Sequence, residues 1–272
     1  MNEELKFRSP PINEIGLSVC ADSNGILDAY DIRGTHDLFR SEFPICERQA
    51  SVGILHIAHM LGGTSNAANV FPPTAQRWWM SSNDNNRVLQ IQDDFFSFNW
   101  RRWERLPGEE VDYPGFDTIL AEAKNRYAML ERYKLDAGYA MPSLSGCELL
   151  YDNMVLMRGV DGLPLTMSDT FAEFSRADTS LPSMAWQNSW LERIPTLAED
   201  DPSLLRVDIN ILGLLDPKSE EMLPVARLMF TAGAARGNWS DAVTFFETAH
   251  DHIRKRFLTL ISDKAQAIWK RI

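Results

Sequence analysis

Glu247 and His250 stand in E-x-x-H spacing near the C-terminus, which puts a carboxylate and an imidazole one helical turn apart. Such pairs serve di-metal carboxylate bundles, where a second E-x-x-H and further glutamates complete the cage. No second such motif occurs here, and His250 falls on an apolar helical stripe. It therefore reads as a core ring whose polar tip finds one hydrogen bond. The competing reading is an enzyme of unknown type, hydrolytic or nucleotide-directed, with His250, Glu247 and nearby arginines in a pocket between sheet and helix. His56 and His59 lie three apart in an expected strand and so face opposite ways. The patterns G-x-S-x-G, HExxH, G-x-G-x-x-G and the P-loop are all missing from the sequence. The loop "LGGTSNAAN" (61–69) runs into Pro72 and Pro73 rather than into a helix, which argues against a phosphate cradle. The adjacent acids (Asp93–Asp94, Glu109–Glu110, Asp200–Asp201, Glu220–Glu221) fall mostly in expected turns, where nothing separates their environments. No catalytic residue, cofactor or metal ligand is assigned.

Recognition chemistry is better represented. Strand alternation sets Gln90, Gln92, Asn99 and Arg101 on one side of a sheet in the first half of the chain. In the second half Arg206, Asp208 and Arg227 leave the apolar side in the same manner. A polar sheet face with amides, one acid and arginines suits a polar or anionic partner, since the guanidinium fork matches carboxylates and phosphates. The basic run "HIRKRF" (252–257) offers a second cationic element, read as a solvated helix face or an anchor for a phosphate or acidic partner. His252 is expected to be exposed.

These residues need elements to hold them. "PPINEIGLSV" (10–19) alternates as a half-buried strand, and a helix ends near "HDLFRSEFP", stopped by Pro44. A strand is expected over 50–61, then a hairpin in "QRWWMSSNDNNRVLQIQ" turning at its Asn/Asp cluster. "FSFNWRRW" (96–103) is dense in rings. A bulge or tight turn at Asp93–Asp94 shifts the strand parity, so that Phe96, Phe98 and Trp100 join Leu89 and Ile91 against a helix at 116–135. That helix carries Phe116, Leu120, Ala123, Tyr127 and Leu130 as one stripe. The second half follows the same order, with strands in "CELLYDNMVLM", "SMAWQNSWLERI", "SLLRVDINILGLL" and "LPVARLMFTAGA" and a short helix in "LTMSDTFAEFSRA". A long helix closes it, capped by Ser240, with Val243, Phe246, His250, Ile253, Phe257 and Leu260 on its stripe. The expected fold is α+β: two tandem β-α-β(3-4)-α units, 1–136 and 137–272, separate or fused. Each would set an antiparallel sheet on its long C-terminal helix, a helix-grip/TBP-like duplication.

The formal net charge of −11, from 27 Lys and Arg against 38 Asp and Glu, disfavours a phosphate-backbone partner. Nucleic-acid binding through Arg101, Arg102, Trp103 and Arg105 would need a local cationic patch on an anionic body. No apolar run reaches the roughly 20 residues of a membrane helix, and "MNEELKFRSPP" lacks the basic start of a signal peptide. Three dispersed cysteines without a CxxC fit reduced thiols, hence a cytoplasmic setting. Self-association is left open.

"PPINEI", "RVLQIQDDFFSFNWRR" followed by "YPGF", and "FFETAHDHIRKRFLTLISDKAQAIWKR" together resemble a sporadically distributed, functionally uncharacterised prokaryotic family of about this length, with a QxQ…FxxNWR…YP core. The resemblance spans nearly the whole chain and supplies no catalytic residues. It implies an accessory role in phage defence or toxin neutralisation. The composite expectation is a non-enzymatic sensor, antitoxin-like or immunity-like protein that binds a protein partner or a small polar ligand, on the polar sheet face or in the groove between the halves.

Overall fold

The computed structural model describes residues 10–21, 25–27, 31–50, 76–103, 112–159, 163, 165–174, 186–194, 203–215 and 220–269. The expected strand beyond Ala50, with His56, His59 and the 61–69 loop, lies outside these residues, as do Arg105, Glu109–Glu110 and Asp200–Asp201.

Among the described residues nine antiparallel strands form one continuous sheet. They are β1 (Ile12–Ala21), β2 (Ile45–Ala50), β3 (Gln76–Ser81), β4 (Arg87–Gln92), β5 (Phe95–Arg101), β6 (Leu144–Leu156), β7 (Trp186–Arg193), β8 (Leu204–Leu215) and β9 (Met222–Ala234). Their spatial order is β2-β3-β4-β5-β1-β6-β9-β8-β7. Two separate sheets were expected; β1 pairs with β6 along its length, Leu17 opposite Leu149, and this joins them. Among the described residues five helices accompany the sheet: α1 (Ile32–Phe39), α2 (Phe116–Asp136), α3 (Met167–Thr170), α4 (Trp239–Leu260) and α5 (Asp263–Gln266).

Asp93–Asp94 is the tight turn of the β4–β5 hairpin, with Gln92 opposite Phe95. Leu89 therefore faces Phe98 and Ile91 faces Phe96 on one side of the sheet. Phe96, Phe98 and Trp100 are buried, to 0%, 0% and 2% exposure. At roughly 1.5–3 kcal/mol for each buried ring, this trio is a large part of the local core. The β3–β4 turn uses the expected polar cluster, with Asn85 taking a positive φ of 55°.

Phe116, Leu120, Ala123, Tyr127 and Leu130 of α2 are buried, as are Val243, Phe246, Ile253, Phe257 and Leu260 of α4. The cap of α4 is Asn238 rather than Ser240: its side chain accepts from the Asp241 amide at 2.9 Å, and Ser240 sits inside the first turn. The two long helices meet through reciprocal ring stacks. Phe116, first in α2, stacks on His250 of α4 with centroids 4.0 Å apart and planes 6° from parallel. Trp239, first in α4, stacks on Tyr127 of α2 at 4.0 Å and 4°. In both helices the stacking partner sits about three turns beyond the first residue. The Trp239–Tyr127 stack is closed by the edges of Phe96 and Phe246, whereas the Phe116–His250 stack is not.

Candidate functional site

Register places all seven expected recognition residues on the sheet face opposite Phe96 and Phe98. Across three central strands Arg101 lies opposite Glu14, and Glu14 opposite Asp152. The same row continues through Met229 to Asp208 and Ser189.

A solvated face is not what these residues make. Gln90, Gln92, Asn99 and Asp208 are at most 7% exposed, while Arg101, Arg206 and Arg227 are half-buried. The amides are engaged internally. Asn99 Oδ1 accepts from Gln90 at 2.9 Å and from Ser97 at 2.7 Å, and its Nδ2 donates to Glu14 at 2.7 Å. Arg77 donates to Gln90, and Gln92 to Asp94. Gly16 makes room for this: a Cβ there would stand 2.6 Å from Asn99 Nδ2. Burial drives the Glu14 carboxyl above its ordinary pKa, against the Asn99 hydrogen bond. Arg227 grips Asp152 with two hydrogen bonds of 2.8 and 3.1 Å, and Arg206 pairs with Asp208 at 2.9 Å. Arg101 gives its Nε to the Asn85 carbonyl and lies over Trp79 and Trp103. The correction has a simple physical origin: alternation reports which side a residue faces, and burial depends on what lies over that side.

The Phe116–His250 stack opens instead onto a cleft of about 500 Å³. Pro10, Pro11 and Ile12 enter it from the start of β1, and Tyr151 and Asn153 from β6. Residues 113–118 supply one wall from the beginning of α2, and His250, Ile253, Arg254, Phe257 and Leu258 supply the other from α4. Gly115 lets the chain turn into α2 at φ 86°, a backbone angle that favours glycine. Tyr151 Oη lies 2.6 Å from His250 Nδ1, and Tyr113 is hydrogen-bonded to Tyr151 in turn. Burial holds the His250 imidazole down at about 4, so the ring is neutral at neutral pH. Burial likewise raises both phenols. The cleft thus has apolar and aromatic walls and a few convergent polar groups, the usual make-up of a small-molecule site.

Glu247 is exposed on α4 and is not among the cleft residues, so the E-x-x-H pair does not converge. His252 is half-buried rather than exposed, and Arg256 is engaged by Glu173 and Glu192. A second hollow of about 450 Å³ holds Arg87 and Arg126, already paired with Glu122 and Glu42. Among the described residues no group of three or more His, Cys, Asp or Glu side chains could hold a metal ion, and no helix is long and apolar enough to cross a membrane. Sequence reasoning missed Tyr113, Tyr151 and Arg254 as site residues. The "YP" and "HIRKRF" stretches were the available signals. A search of protein-family models, curated proteins and solved structures finds no match to this chain.

Proposed function

We propose that this protein is a non-enzymatic binding protein that holds a small polar ligand in the cleft between α2 and α4. The observation that carries the proposal is convergence. "PPINEI", "YPGF" and the α4 stretch around "AHDHIRKRF" are far apart in the chain, yet all three contribute residues to one cleft. The neutral His250 and its tyrosine partners offer hydrogen bonds without net charge, which suits recognition. An imidazole held near 4 is a weak general base at neutral pH. Capture of this kind fits a sensor, antitoxin-like or immunity-like role.

The reading includes a duplication with the boundary near residue 136. Outward from the central pair, β1, β5, β4 and β3 are mirrored by β6, β9, β8 and β7. The reciprocal stacks of α2 and α4 follow the same relation. The ligand cleft then lies where the halves meet, at the stack that Tyr151 extends and that borders open space.

A thermal-shift screen with a metabolite library tests the proposal. At least one compound should raise the melting temperature of the native protein, and Tyr113→Ala should abolish that shift while remaining folded. Hits that survive Tyr113→Ala, or a library without hits, contradict it. The tyrosine–histidine chain favours the second reading, an enzyme centred on His250; turnover of a hit that disappears in a folded His250→Ala variant would establish it.

A further inference from the structure

The cleft carries two charges of opposite sign on opposite walls. Asp117 stands in the first turn of α2 and is exposed, and Arg254 projects from α4 and is half-buried. Among the described residues neither forms an ion pair, with the other or with a third group. Arg87, Arg126, Arg206, Arg227 and Arg256 pair with carboxylates, whereas Arg254, like Arg77 and Arg101, does not. After burial, Asp251 acts most strongly on the imidazole, and both cleft charges act on it as well, Arg254 opposing its protonated form and Asp117 favouring it. Between them the floor is neutral and hydrogen-bonding, made by Tyr113, Tyr151 and His250. Prolines 10 and 11 with Phe257 supply apolar area for a flat side group.

A cleft with one cationic wall, one anionic wall and an apolar end is complementary to a molecule bearing the reverse charges beside a ring. We propose that the ligand is a zwitterion of the aromatic amino-acid class. Its carboxylate pairs with Arg254, its ammonium with Asp117, and its ring lies against Pro10, Pro11 and Phe257. A guanidinium takes a carboxylate through two parallel hydrogen bonds, and the carboxylate of Asp117 accepts from an ammonium. The proposal rests on reading the cleft as a ligand site and adds the charge pattern of its occupant.

Calorimetric titration with L-phenylalanine, phenethylamine and 3-phenylpropionate separates the contributions. L-Phenylalanine should bind, and each singly charged analogue should bind roughly tenfold more weakly or worse, as expected when one charge-assisted contact is lost. Arg254→Gln should reduce L-phenylalanine binding to the level of the amine and leave the amine's own affinity unchanged. Asp117→Asn should do the converse with 3-phenylpropionate. Equal binding of the zwitterion and either analogue overturns the proposal, as does an affinity for L-phenylalanine unchanged in both variants. Binding of none of the three also overturns it, while a library compound lost in Tyr113→Ala would still uphold the cleft as a ligand site.

Discussion

His250 packs as its place on the apolar stripe leads one to expect, a ring among rings whose polar tip finds one hydrogen bond. Its ring is sandwiched against Phe116, its Nδ1 meets Tyr151, and burial lowers its pKa from 6.5 to about 4. The unfolded chain therefore binds a proton that the folded chain refuses between those two values. Stability is unaffected above pH 6.5, falls as pH drops below it, and the full loss is reached below about 4. At pH 5 the penalty is about 2 kcal/mol. Urea unfolding of His250→Gln should show a difference in stability between pH 7 and pH 5 smaller by about that amount than in the native chain. An unchanged difference would mean that His250 is protonated or exposed in the fold. The basic run around Arg254 reads as a solvated helix face or an anchor for an anion; only the packing of α4 sets Arg254, on the cleft, apart from Arg256, engaged by Glu173 and Glu192.

At the scale of elements, periodicity carried most of the information. The α2 and α4 stripes, the hairpin turns and the parity change beside Asp93 all follow from local rules, because each depends on neighbours a few residues away. What local rules could not supply was cover. Gln92 and Asn99 alternate as a polar face should, yet they are buried and the Asn99 amide joins β4, β5 and β1 through Gln90, Ser97 and Glu14. Asn99→Ala should therefore lower stability by about 2 kcal/mol, since it strands several buried polar groups at once. Denaturant titration measures this; a midpoint equal to that of the native chain would return Asn99 to the status of a surface residue.

At the scale of the whole molecule, one nine-stranded sheet runs through the described residues, and the two long helices meet through reciprocal ring stacks. Element order in the sequence was legible as alternating strands and long helices; the single shared sheet was hidden, because the β1–β6 pairing joins residues more than a hundred positions apart. Separation along the chain also hid Tyr113, Tyr151 and His250 as one chain of hydrogen bonds. The two stacks differ: one is filled by Phe96 and Phe246, the other borders open space. Nuclear magnetic resonance during titration with a library hit compares the two inside one molecule. The account predicts that the His250 imidazole and Tyr113 ring signals move with ligand while the Trp239 indole signal stays put. Movement confined to the side-chain signals of Arg101, Arg206 and Arg227, with His250 unmoved, would place the ligand on the other face of the sheet and contradict it.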